Sequence, residues 1–196
     1  MVICVYGASS PRIDKSYIEA VELLGEKMAK RGHSLVYGCG SSGLMGAAAR
    51  GVKKGGGYVH GVIPHFFEEN GYEAIFYDAD KITRTETMAE RKAIMEDECV
   101  AFIIVPGGVG TFEEFFQALT LKQLGRHKKA IAMFNVNGYY DDLSKLLQHV
   151  ADKEFMSDAC NGLYKILDTA DEVLDYIENY DGVVPDWDEL KIGDTK

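Results

Sequence analysis

Residues 99–114 constrain the possible folds of this chain more than any other stretch. Cys99-Val100-Ala101-Phe102-Ile103-Ile104-Val105 is a continuous apolar run of strand length that stops at Pro106. Such a run reads as a strand buried on both faces, the kind that parallel sheets contain. Pro106-Gly107-Gly108-Val109-Gly110 breaks the pattern, and Phe112, Phe115, Phe116 and Leu119 then recur at helical spacing. A buried strand, a glycine turn and a helix in immediate succession imply a layered α/β fold.

The turn carries chemistry as well as shape. Glycines let a backbone approach a ligand closely. The first N–H groups of a helix lack intrahelical acceptors and attract anions, phosphate above all. Gly107, Gly108, Val109 and Gly110 offer such backbone donors, and Thr111 adds a hydroxyl. Glu114 lies one turn further on, beside whatever the loop holds. The same residues also suit a plain helix start, because glycine caps helices and a first-turn glutamate complements the helix dipole.

The alternation continues along the chain. Val2–Tyr6, Ser34–Tyr37, Tyr58–Ile63, Ala130–Phe134 and Leu163–Leu167 read as further strands. Helices are expected from about Asp14 to Lys30, Leu44 to Lys53, Thr87 onward, Asp141 to Ala151, and Thr169 to Asn179. This order predicts a single Rossmann-like, doubly wound parallel sheet with helices on both faces. Ligands of such sheets sit beyond the carboxyl ends of the strands. Residues 1–180 form the expected single Rossmann-like domain, and 181–196 an acidic, loose tail that Trp187 pins. Residues 64–81 read as an irregular connection rich in aromatics, either packing or covering a planar base, with Glu68 and Glu69 as candidate contacts.

Two local patterns bear on function. Thr87-Met88-Ala89-Glu90 is a capping box. On the helix it opens, Met88, Arg91 and Met95 share one stripe, with Lys92 beside it. An arginine on an apolar stripe is costly without an anion, so Arg91 either pairs with a glutamate or completes an anion site with the glycine loop. Gly38-Cys39-Gly40-Ser41-Ser42-Gly43 formally fits the dinucleotide fingerprint G-x-G-x-x-G. The acid that would hold a ribose hydroxyl at the end of the next strand is missing, however, because that strand runs into Pro64-His65-Phe66. Close helix–sheet packing and a wall of a phosphate pocket both remain open for this turn.

Pro106-Gly-Gly-Val-Gly-Thr-Phe-Glu-Glu114 and Met88-Ala-Glu-Arg-Lys92 together resemble the Lonely Guy (LOG) family, whose members are often mislabelled lysine decarboxylases. Tyr37 to Gly46 resembles the family's glycine turn, with Cys39 where the family usually has glycine. Asn135 to Tyr140 resembles its Asn-x-x-Gly-Tyr-Tyr segment. Ala89 stands where the family commonly has histidine, which bears on substrate choice. The resemblance covers about residues 1–180. It implies hydrolysis of the N-glycosidic bond of a purine nucleoside 5′-monophosphate, with Arg91 and Glu114 catalytic. Lys92, Gly107, Gly108, Val109, Gly110 and Thr111 would then bind the phosphate, with Ser9, Ser10 and Thr120 as further pocket candidates. No cofactor or metal is expected. A non-catalytic nucleotide carrier or sensor is the alternative, and an NAD-linked oxidoreductase is disfavoured by the missing acid.

Composition narrows the partners. A net charge of −10 argues against nucleic acid. No apolar run reaches the ~18 residues of a membrane span. Cys4, Cys39, Cys99 and Cys160 are scattered, which suggests neither a zinc site nor a disulfide framework and fits the cytoplasm. In the signature helix, Phe112, Phe115, Phe116 and Leu119 are expected to face the sheet. A second stripe, Ala118, Leu121 and Leu124, is then left for a homodimer through helix 111–124.

Overall fold

The computed structural model describes residues 1–191. Seven strands form one sheet: β1 (Val2–Tyr6), β2 (Ser34–Tyr37), β3 (Val59–Pro64), β4 (Lys81–Thr85), β5 (Ala101–Ile104), β6 (Ala130–Phe134) and β7 (Lys165–Leu167). Their order is β4-β3-β2-β1-β5-β6-β7, and every neighbouring pair is parallel. Cys4 of β1 pairs with Val36 on one side and Phe102 on the other. The chain's direction of progress across the sheet therefore reverses at β1, and a crevice opens there beyond the strand ends.

Among the described residues, eight α-helices surround the sheet: α1 (Lys15–Lys30), α2 (Gly43–Lys54), α3 (His65–Glu69), α4 (Met88–Glu98), α5 (Val109–Gln123), α6 (Asp141–Asp152), α7 (Ala170–Glu178) and α8 (Trp187–Leu190). Alternate strand residues feed two cores. Ile3, Val5, Leu35, Tyr37 and Ile103 pack with α1, α2 and α7. Cys4, Tyr6, Val36, Phe102 and Ile104 pack with α4 and α5 on the other face. The central strands are buried throughout, which explains their unbroken apolar sequences.

The structure departs from the sequence reading in three places. The 64–81 connection is followed by a seventh strand, β4, and begins with the short helix α3. β4 has the sequence Lys-Ile-Thr-Arg-Thr and is only partly buried, so it lacks the apolar run that marks the inner strands. On α5, Phe115 and Leu119 are buried in the core and Leu124 is 49% exposed, as expected, but Phe116 is 39% exposed and Ala118 is buried, so these two exchange faces. In the tail, Leu190 is the buried anchor and Trp187 is half exposed; residues 192–196 of the expected tail lie outside the described residues.

Candidate active site

The C-terminal ends of β1, β2, β3 and β5 carry the loops that enclose a cavity of about 400 Å³. Gly7 to Ser10 follow β1. Met45 comes from α2, Phe67 from α3, and Glu73 from the segment after α3. Met88 and Arg91 come from α4, and Gly108, Gly110, Thr111, Glu113 and Glu114 from α5 and its leading turn.

The phosphate-type features are on α5. Gly108 is its N-cap and has no side chain to offer, so the amides of the first turn are left without an intrahelical acceptor. Thr111 is buried beneath them, against Gly107, where a Cβ would strike its hydroxyl. Two tyrosines brace the turn from the far side. Tyr140 donates to Val105 O at 2.8 Å and Tyr139 to Gly107 O at 2.6 Å. Those carbonyls are held away from the cavity. The Asn135–Tyr140 segment is itself fixed by Asn135 Oδ1, which accepts from Tyr140 N at 2.7 Å.

Arg91 is 5% exposed. The capping box Thr87–Glu90 starts its helix. Its Nε donates to Val62 O at 3.1 Å, and Nη1 lies 3.7 Å from Met88 Sδ and 3.9 Å from Glu114 Oε1. Its guanidinium also lies over the Phe67 ring, 5.9 Å from the centroid. The 3.9 Å separation is an ion-pair distance and too long for a hydrogen bond. Glu114 is consequently under-compensated. Burial pushes its carboxyl up to about 7, against the opposing pull of Arg91.

The glycine turn after β2 serves these groups by leaving room. A Cβ at Gly38 would overlap Arg91 Nη2, and one at Gly40 would overlap Glu73 Oε1. The amides at the start of α2 are already taken, since Leu44 N and Met45 N both donate to Ala8 O, at 2.8 and 3.2 Å. A pyrophosphate could not use them. The turn is thus close packing with a functional purpose and no dinucleotide cradle. Cys39, at φ 67°, occupies the left-handed conformation for which glycine is the usual residue.

Of the residues expected from sequence, Arg91, Glu114, Gly108, Gly110, Thr111, Ser9 and Ser10 come together at the cavity. Gly107 lines an adjoining cleft of about 250 Å³ with Tyr17 and Tyr139. Lys92 turns away, pairing with Glu113 at 2.6 Å and with Gln117, and so ties α4 to α5. Val109 is 86% exposed, and Thr120 sits exposed far along α5. Glu68 is held by Arg84 at 2.6 and 2.9 Å and joins α3 to β4 instead of facing the cavity. Sequence reasoning missed Glu73. The signal was an acid in an apolar setting, Tyr72-Glu73-Ala74-Ile75-Phe76, within a segment of no clear periodicity. Among the described residues, no group of three His, Cys, Asp or Glu side chains is placed to hold a metal ion.

Comparison with known proteins agrees with this architecture. The family described as "Possible lysine decarboxylase" matches residues 45–177. A protein of Oryza sativa subsp. japonica named "Probable cytokinin riboside 5'-monophosphate phosphoribohydrolase" is 39% identical over 181 residues, which is 91% of this chain and 72% of that one. A cytokinin riboside 5'-monophosphate phosphoribohydrolase of Arabidopsis thaliana is 36% identical over 188 residues, covering 96% and 84%. Among solved structures, the molybdenum cofactor carrier protein of Chlamydomonas reinhardtii superposes with a TM-score of 0.70 at 23% identity, over 91% of this chain and 96% of that one. That likeness is one of fold.

Proposed function

The chain belongs to the Lonely Guy (LOG) family of cytokinin riboside 5′-monophosphate phosphoribohydrolases, and from that premise we propose that it hydrolyses the N-glycosidic bond of a purine nucleoside 5′-monophosphate. The products are the free base and ribose 5-phosphate, and the base is adenine or an N6-prenylated adenine. One observation carries the reading: Glu114, buried beside Arg91, sits one turn beyond a helix start with unused amides.

The amides of Gly108, Val109 and Gly110 and the Thr111 hydroxyl take the phosphate. Ser9 and Ser10 close the opposite wall. Arg91 adds charge to a phosphate or ribose oxygen. The ribose then lies against Glu114. As the C1′–N bond stretches, the sugar becomes oxocarbenium-like. The Glu114 carboxylate stabilises that cation and takes a proton from the attacking water. The family's decarboxylase label finds no support in the cavity lining, whose charged groups are Arg91, Glu73, Glu113 and Glu114, with no lysine for a Schiff base.

Incubation with AMP, N6-isopentenyl-AMP, GMP and adenosine, with release of free base followed by chromatography, tests the reading. Base release from the adenine monophosphates and none from adenosine is expected. Tight binding of AMP without release of base would instead make the protein a nucleotide carrier. We propose further that it works as a homodimer, since Phe116, two residues after Glu114 on α5, and Leu124, just past the end of that helix, are 39% and 49% exposed. The four buried free thiols support a reducing, cytoplasmic setting. Among the described residues, no helix is long and apolar enough to cross a membrane.

A further inference from the structure

Glu73 is the second deeply placed carboxylate of the cavity, and the mechanism above leaves it without a task. It does not arrive there by chance of loop conformation. The segment carrying it is fastened to the glycine turn after β2: Ser41 N donates to Ala74 O at 2.7 Å, Phe76 N donates to Cys39 O at 2.9 Å, and Gly40 bridges Ile75. Gly40 has no side chain, and the Glu73 carboxylate fills the space a Cβ would need. Glu73 Oε1 is buried and takes no hydrogen bond from any described residue. A buried carboxylate oxygen without a partner is costly.

Its neighbours say which part of a substrate it meets. A methyl at Gly40 would touch Met45 Cε as well as Glu73, so these two side chains share one corner. Met45, Met88 and Phe67 form the apolar part of the lining. A planar base suits that part, just as the phosphate suits the α5 amides. Glu73 thus borders the base, while Glu114 borders the sugar. The charged and titratable groups that face Glu73 are Arg91 from α4, Glu114 from α5, and Tyr37 and Cys39 from the end of β2 and its turn. Burial is the largest influence on its carboxyl and raises it, outweighing Arg91 and the Ser9 hydroxyl.

Resting on the hydrolase reading, we propose that Glu73 is the general acid that protonates the departing purine. The C1′–N9 bond breaks and its electron pair passes to the base. The Glu73 proton goes to a ring nitrogen, so the base leaves neutral. Water adds to C1′ and gives its proton to Glu114. Glu73 ends as a carboxylate and Glu114 as a carboxylic acid, and exchange with solvent restores both.

The test compares wild type, Glu73→Gln and Glu114→Gln on two substrates. AMP has a leaving group that needs a proton. The 4-nitrophenyl riboside 5-phosphate has one that departs as an anion. Glu73→Gln should lose about 10²–10³ in kcat on AMP, bind AMP within a few-fold of wild type by calorimetry, and retain most of its activity on the nitrophenyl compound. Glu114→Gln should lose activity on both. On AMP, wild type should show an alkaline decline of kcat that Glu73→Gln lacks. An unchanged rate on AMP, equal losses on the two substrates, or survival of the alkaline decline would overturn the assignment and leave Glu73 as a support for Arg91. Absence of base release by the wild type would remove the hydrolase reading itself, and the acid role with it.

Discussion

Glu114 is poised by an imbalance between desolvation and charge. Burial raises its carboxyl to about 7, and Arg91 at 3.9 Å is too distant to reverse this. Arg91 therefore does not hold Glu114 fully ionised at neutral pH, as a tighter pair would. A base must be deprotonated, so kcat/KM for the 4-nitrophenyl riboside 5-phosphate, whose departure needs no acid, should rise with pH through a limb near 7 and flatten above it. Glu114→Gln should lower kcat by about 10²–10⁴ with AMP binding kept within a few-fold, and full activity in that variant would exclude the carboxylate from the chemistry. Arg91→Ala should weaken AMP binding by about 1.5–3 kcal/mol and adenosine binding far less, as calorimetry with the two ligands would show. Equal weakening would make the arginine structural.

At the level of elements, the β2 turn and α5 carry demands that a single residue does not reveal. Gly38 leaves space for the Arg91 guanidinium. Gly38→Ala should push that group aside and lower kcat/KM at least about tenfold, with little change in the thermal midpoint, because the displaced atoms end a flexible side chain. On α5, Lys122 is 1% exposed and its ammonium has Leu163 O, at 2.7 Å, and the Tyr180 ring as company but, among the described residues, no carboxylate. Burial lowers it to about 8. Between about 8 and 10.5 the unfolded chain binds more protons at this site than the folded one, so stability contributed here rises with pH across that window. Denaturant titrations at pH 7.5 and 9.5 should show wild type gaining on the order of 1–2 kcal/mol relative to Lys122→Met. An equal pH response in both proteins would show that the lysine is solvated.

At the scale of the whole molecule, the exposed apolar side chains of α5 bear on assembly. Phe116 lies outward on the helix that also supplies Glu114 and the free first-turn amides, and Leu124 is exposed just past its end. An isologous pairing through this helix would bury them and place two active sites beside one seam. Light scattering at micromolar concentration should give a dimer mass, and Leu124→Glu should shift it toward monomer with loss of activity. A monomer mass for wild type would end the proposal.

The sequence by itself determined the α/β class and the parallel sheet, and pointed to the residues that meet at the candidate site. Buried parallel strands must be apolar along their whole length, and a helix that starts on glycines has no side chain there to cap its amides; both features are local and leave marks at fixed spacing. Arg91 and Glu114 were legible for the same reason, each lying one turn from its own helix start. Only the tertiary structure decided the rest. β4 is a half-exposed edge strand, and nothing in Lys81–Thr85 distinguishes it from a loop until β3 pairs with it. Lys92 follows Arg91 in sequence, but the helical rotation between adjacent residues sends it to Glu113 and Gln117 instead of the cavity. The faces of α5 depend on how its axis meets the sheet, which no periodicity specifies. Glu73 acquires its place from a bridge between two segments more than thirty residues apart in sequence, Gly40 to Ile75, and contacts of that kind exist only once the chain has folded.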